Sequence, residues 1–251
     1  MGKPMLAALR LAGFNAHGFD VRDVDGVETE PESFAQNLSI LLTVVRDEAE
    51  TDEVLFADQS FCVQATDIDT IIICSTLSPN YVKDLRNRVP SHITLIDAPM
   101  SGAQIKAENA TLSFMLGGDT ETLDHLQPLF DAMGQDFHRM GPFGAAMTAK
   151  VLNNLLAASS TAMTRLVLDW ADANEVDETK LLNLIHTSSG QNWLASGFND
   201  IEFARDGYQT DNTIGILVKD IAAALDIAPK DADTNLPELI QETIRGLKPR
   251  P

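Results

Sequence analysis

GPFGAAMTAKVLNNLLAASSTAM, residues 141–163, divides this chain into two kinds of sequence. Gly141, Pro142 and Gly144 punctuate its start, and neither residue type recurs until Gly190. The stretch therefore predicts one long helix from about Ala145 to Val176. Upstream, short β-branched apolar runs alternate with amphipathic ones. Downstream, the strand signals stop. The alternation predicts a doubly wound, Rossmann-like parallel α/β sheet, and the remainder predicts an all-α C-terminal domain. The expected domains are 1–141 and 142–251.

The upstream elements read as follows. KPMLAALRLAG is a helix with Pro4 in its first turn and Gly13 as C-terminal cap. FNAHGFD is a short strand ending at Asp20. SILLTVV (39–45) and TIIICST (70–76) are continuous apolar runs, as expected of parallel strands buried on both faces. DEAETDEVLF between them is an acidic helix, and SPNYVKDLRNRV is a helix capped by Ser78 with Pro79 in its first turn. ITLIDAP and TLSFMLGG are further strands. DTETLDHLQPLFDAMG is a helix opened by Asp119 and closed by Gly134. Beyond the long helix, DETKLLNLIHTSS, NTIGILVKDIAAALDIA and LPELIQETIRGL read as helices, and the tail GLKPRP as frayed.

Composition excludes several classes of function. The 251 residues carry 18 basic and 37 acidic side chains, a formal charge of −19. Such acidity disfavours nucleic acid and anionic membranes as partners. No apolar run reaches the length of a membrane span, and no signal-peptide pattern opens the chain. Two cysteines, Cys62 and Cys74, without CxxC spacing fit a reduced, cytoplasmic setting and read as small buried hydrophobes. The five histidines lack metal-ligand spacing, so no metal site is expected.

Against this background Lys150 stands out. A Lys in an Ala/Leu/Val/Met helix costs free energy unless it is paired or employed. Desolvation can release its proton, which makes it a candidate acid/base group; the plainer reading is a Lys that snorkels to the helix edge. Asn154 follows four residues later on the same helical face. Ser101 and Gly102 come just after ITLIDAP, where ligands bind beyond the carboxyl ends of strands. Gly there permits close backbone approach and Ser supplies a hydroxyl, although the same residues would also make an ordinary turn. Thr76 lies past another strand end, where it could instead share helix capping with Ser78. Lys219 stands beside Asp220, and a local ion pair is its plainer reading.

MGKPM, IDAPMSGA, TLSFMLGG and GPFGAAMTAKVLNN, with LVKDIAAALD further on, together resemble the β-hydroxyacid dehydrogenase family, which includes 3-hydroxyisobutyrate dehydrogenase and tartronate semialdehyde reductase. The resemblance runs from Met1 to about Asp226. It implies hydride transfer between NAD, or NADP, and a small β-hydroxy acid. Lys150 would be the general acid/base, with Asn154 contacting the substrate and Ser101 and Gly102 holding its carboxylate. Gly2, Val44, Val45, Thr76 and Lys219 would belong to the cofactor site, and a homo-oligomer is expected. Asp20 lies about as far beyond the glycine turn as the acidic residue that binds ribose hydroxyls, which favours NAD. Arg22 could instead meet a 2′-phosphate.

The chain departs from the family pattern in several places. The G-x-G-x-x-G fingerprint is absent, Met1 and Gly2 aligning with its last two positions. The first strand, central in this fold, is therefore expected to be missing, which would leave backbone edges open on its neighbours. A start upstream of Met1 would supply it. Only a short, helix-poor segment links Asp20 to Ser39, Ala103 stands where a Gly is common, and the helical domain ends early. A noncatalytic truncated homologue acting as a binding or dimerisation module is the alternative from another class. A 6-phosphogluconate-type dehydrogenase is the alternative within the enzymes, although it would need more basic residues for its phosphate. An imine reductase fits less well, because relatives of that type commonly lack the lysine.

Overall fold

The computed structural model describes all residues, Met1–Pro251. The chain forms two compact units, Met1–Lys150 and Val151–Pro251.

The first unit opens with helix α1 (Gly2–Leu11), followed by α2 (Pro31–Phe34), strand β1 (Ile40–Thr43), α3 (Glu48–Leu55) and α4 (Phe61–Gln64). Strand β2 (Thr70–Ile73), α5 (Pro79–Arg88), β3 (Thr94–Asp97), the two-residue β4 (Met100–Ser101) and α6 (Ala103–Glu108) come next. Strand β5 (Leu112–Gly117), α7 (Thr120–Asp131) and β6 (Gly134–Gly141) complete the layers. The helix ends follow capping chemistry: Asp47 Oδ1 accepts from Glu50 N at 2.9 Å, Ser78 Oγ from Asn80 N at 3.1 Å, and Asp119 Oδ2 from Thr122 N at 3.1 Å.

The apolar runs of β2 and β3 become central strands because alternate side chains feed two cores. Ile71 and Ile73 pack with Leu41, Leu55, Phe61, Val82 and Leu85 on one face, while Ile72 and Ile96 pack with Met5, Leu112, Phe114, Leu116 and Phe130 on the other. The isoleucines of β2 are fully buried, and truncating one to Ala costs about 2–5 kcal/mol.

The structure corrects the sequence reading at four points. First, the sheet is mixed. β1, β2 and β3 run parallel, β5 runs antiparallel to β3 and β4, and β6 is parallel to β5. The β3–β5 connection spends residues on β4 and on the short α6, so it returns like a hairpin rather than as a full crossover. Second, FNAHGFD forms no strand. It contributes a single bridge, Phe19 to Glu28, and β1 pairs only with β2. With no ladder beside it, the segment is held by Phe19, whose ring lies 5.5 Å from Phe34 and 5.4 Å from Phe61. Third, residues 134–141 are a strand that the reading missed, because this outer strand is mostly exposed and lacks an apolar run.

The second unit takes most of α8 (Ala145–Ala173) and adds α9 (Glu178–His186), α10 (Trp193–Ser196), α11 (Thr213–Leu225) and α12 (Asn235–Arg245). Ala158, Ala162, Ile214, Ile221, Ile240 and Ile244 form one core, and Leu168, Leu182, Leu194 and Phe198 a second. The fourth correction lies here: the tail is anchored. Tyr208 N donates to Leu247 O at 2.9 Å and Arg250 N to Arg205 O at 2.7 Å. The Arg250 guanidinium, 5% exposed, pairs with Asp169, Asp172 and Glu178 at 2.7–2.9 Å. Buried Arg165 donates to the carbonyls of Ala204, Asp206 and Lys248.

Candidate active site

In the first unit Lys150 lies in the second turn of α8 and is only 6% exposed. It does not snorkel. Its Nζ donates to Ser101 Oγ at 3.0 Å, which joins residues 49 apart in sequence. Ser101 is the last residue of β4, and Gly102 follows at φ +135, opening α6. A Cβ on Gly102 would come within 2.6 Å of the Lys106 side chain, so only glycine fits. Ala103, where the resemblance led one to expect Gly, takes φ +55 and carries the strain of a left-handed residue.

One residue of this site escaped the sequence reading. Asp97, the last residue of β3, is fully buried. Its Oδ1 accepts from Gly144 N at 2.8 Å and its Oδ2 from Met147 N at 2.6 Å. Burial pushes its pKa up, and the backbone N–H donors of Gly144 and Met147 only partly offset this. The signal was available: a lone carboxylate ends an otherwise apolar strand, where it must find donors.

Of the residues expected at a dinucleotide, Gly2, Asp20, Val44, Val45 and Thr76 belong to this same unit. A Cβ on Gly2 would lie 3.7 Å from Val44 Cβ, so the start of α1 faces the end of β1. Val45 N donates to Ser75 Oγ at 2.9 Å, and Thr76 follows directly. Ser78 caps α5, its hydroxyl accepting from Asn80 N and Tyr81 N. The Asp20 carboxylate accepts from Arg22 N, Nε and Nη2, each at 2.9 Å. These bonds hold its pKa below the usual carboxylate value. The two rival recognition groups for ribose and phosphate are thus locked together.

In the second unit Asn154 Nδ2 donates to Asp220 Oδ2 at 2.6 Å. Lys219 Nζ lies 3.6 Å from Asp220 Oδ1. Asp220, 2% exposed, therefore links the expected substrate and cofactor residues of this unit. Both cysteine thiols are pushed up by burial, Cys62 to about 11 and Cys74 to about 12, so neither suits nucleophilic work.

The groups of the first unit expected to meet a nicotinamide dinucleotide are the start of α1 at Gly2, Val44 just beyond β1, Thr76 three residues beyond β2, and the Asp20 carboxylate. Comparisons with known proteins agree. A family model described as the NAD binding domain of 6-phosphogluconate dehydrogenase matches residues 1–141. Another, described as the NAD-binding part of NADP-dependent 3-hydroxyisobutyrate dehydrogenase, matches residues 144–247. The NAD-dependent L-serine dehydrogenase of Pseudomonas aeruginosa is 30% identical over 209 residues, covering 79% of this chain and 70% of the relative. The 3-hydroxyisobutyrate dehydrogenase of the same organism is 27% identical over 241 residues, covering 90% and 81%. The solved 3-hydroxyisobutyrate dehydrogenase of Salmonella typhimurium superposes with a TM-score of 0.81 at 19% identity, covering 97% of this chain and 89% of that one. The architecture is that of a Rossmann-type dinucleotide enzyme. The chain belongs to the β-hydroxyacid dehydrogenase family of NAD-dependent enzymes.

Proposed function

We propose that this chain interconverts a short β-hydroxy acid and its carbonyl form, with Lys150 as the general acid/base. The observation that carries the reading is the buried Lys150 Nζ held 3.0 Å from Ser101 Oγ. Ser101 Oγ and the glycine backbone at Gly102 receive the substrate carboxylate. Lys150 then takes the hydroxyl proton during oxidation and returns it during reduction. The hydride acceptor or donor is supplied by a nicotinamide dinucleotide when bound. Gly2, Val44, Val45 and Thr76 line its place in the first unit, and Lys219 is a further cofactor residue. Asn154 adds a substrate contact one helical turn beyond Lys150. Asp20 favours NAD over NADP through the ribose hydroxyls.

L-Serine and 3-hydroxyisobutyrate, named in two relatives, are the first substrates to try. The test follows reduced-nicotinamide absorbance with each acid and with NAD or NADP, together with calorimetric titration of the dinucleotide. Lys150→Ala is expected to lower turnover by about 10²–10⁴-fold while dinucleotide binding persists. A variant that keeps full turnover ends the assignment. The same reading includes a homo-oligomer, supported by Leu156, Met163 and Trp170, which stand 71%, 56% and 64% exposed at seven-residue spacing on α8. Sedimentation of a monomer at assay concentration removes that part.

A further inference from the structure

Three of the sequence motifs converge on one side chain, although none of their expected roles requires it. Asp97 belongs to IDAPMSGA. Its neighbour across the sheet, Gly117, belongs to TLSFMLGG. Its hydrogen-bond donors Gly144 and Met147 belong to GPFGAAMTAKVLNN. A Cβ on Gly117 would fall 2.2 Å from Asp97 Oδ1 and 3.0 Å from Ala146 N. Glycine at 117 therefore clears the space that the carboxylate and the first turn of α8 share. At Gly118, φ is +154 and a Cβ would strike Ile96 Cδ1 at 2.3 Å, so the second glycine of the same motif keeps β5 close to β3.

The placement matters for Lys150 and Ser101. Ser101 lies four residues beyond Asp97 on the chain that leaves β3, and Lys150 lies three residues beyond Met147 on α8. The Asp97 carboxylate thus ties the end of β3, from which the chain runs on to Ser101, to the start of the helix that delivers the amine. It accepts from Gly144 N just before α8 and from Met147 N in its first turn, where the helix dipole favours a negative charge. Met147 is fixed a second time, because its sulfur accepts from Leu77 N at 3.4 Å. A helix start held by two such bonds fixes the depth and the rotation of the first turns of α8, up to Lys150, and with them the position of Nζ.

We propose that Asp97 is the positioning residue of the Lys150–Ser101 pair, setting the contact on which the proposed acid/base chemistry rests. It touches neither substrate nor cofactor. Its action runs through the backbone of Gly144 and Met147.

Asp97→Asn tests this with little change of shape. An amide offers one acceptor oxygen where two N–H groups need one each, so one bond is lost and two donors face each other. The readout is competitive acetylation of the full chain with acetic anhydride, measured by mass spectrometry. Exposed Lys180 and Lys230 serve as internal references. Lys150 is expected to label about tenfold faster in the variant, the equivalent of one hydrogen bond, with the references unchanged. Where the wild type turns over a hydroxy acid, kcat is expected to fall by a similar factor with unchanged dinucleotide binding. Equal labelling of Lys150 in the two proteins overturns the proposal. Absence of turnover in the wild type would instead count against the proposed function and leave the labelling result standing. Should the variant fail to fold, the wild type decides: the amide proton shifts of Gly144 and Met147 are expected to move together as acid protonates Asp97. Shifts fixed down to acid unfolding overturn the proposal.

Discussion

Asn154 Nδ2 donates to Asp220 Oδ2 at 2.6 Å, and this contact fixes which way the amide faces. A carboxylate accepts only, so it selects the NH₂ side of Asn154. The Asn154 oxygen in turn accepts from Asn153 Nδ2 at 3.3 Å. Asp220→Ala removes a charge-assisted acceptor from a buried position and is expected to lower stability by about 1–3 kcal/mol. Chemical denaturation checks this, and a midpoint equal to wild type would show that the amide finds water instead.

Ser101→Ala deletes the hydroxyl that accepts from Lys150 and is proposed to hold the substrate carboxylate. The KM for the hydroxy acid is expected to rise about tenfold, the equivalent of one hydrogen bond. The dinucleotide dissociation constant should stay put. Steady-state kinetics paired with calorimetry separates the two. A rise in both constants would place Ser101 elsewhere in the scheme.

Neighbouring loop residues should respond in opposite directions. Gly102→Ala forces a side chain onto φ +135 and into Lys106, at a cost of about 1–3 kcal/mol. Ala103→Gly relieves φ +55 and is expected to gain up to about 1 kcal/mol. Thermal midpoints of the two variants, measured side by side, give the signs. A destabilised Ala103→Gly would mean that the methyl packs better than its backbone suggests.

Acid should weaken the second unit through Glu178. Burial raises its pKa, but hydrogen bonds from Arg205 and Arg250 outweigh that and leave it below the ordinary value of 4.5. A carboxylate with a depressed folded pKa contributes stability above its unfolded pKa and loses it as pH falls through the folded one. The thermal midpoint should therefore fall as pH drops below about 4.5. Glu178→Gln should flatten part of that slope. Melting curves between neutral pH and pH 3 test it, and parallel profiles for the two proteins would refute it.

What the sequence disclosed depended on how local each signal was. The parallel strands β2 and β3 were legible because burial on both faces leaves continuous apolar runs, and β1 because its run is apolar too, although only alternate residues are buried. Ser78 and Asp119 were legible because caps act within a turn. Lys150 was legible because its charge conflicts with its neighbours. Its hydrogen bond to Ser101 spans 49 residues; the family resemblance implied a role for each at one substrate but no contact between them. The reversal of β5 was hidden, because a short helix after a strand reads the same whether the chain crosses over or turns back. β6 was hidden because an outer strand needs no apolar run. Asp97 and Asp220 were in plain view as carboxylates among apolar residues, but their partners lie 47–66 residues away, and no periodicity reports that.

The anchoring of the tail has a consequence for timing. Arg165 reaches Lys248 across 83 residues, and Arg250 reaches Asp169 across 81. Contacts of such separation slow a folding transition, because long loops must close first. While the ribosome extends the chain, α8 can coil early and Glu178 can meet Arg205, yet Asp169 and Asp172 await the Arg250 guanidinium until residue 250 emerges. The sheet-bearing unit, which ends at Lys150, is free to fold first. The helical unit would then mature last, and a pause or nick near residue 247 would leave it an acidic, half-assembled bundle.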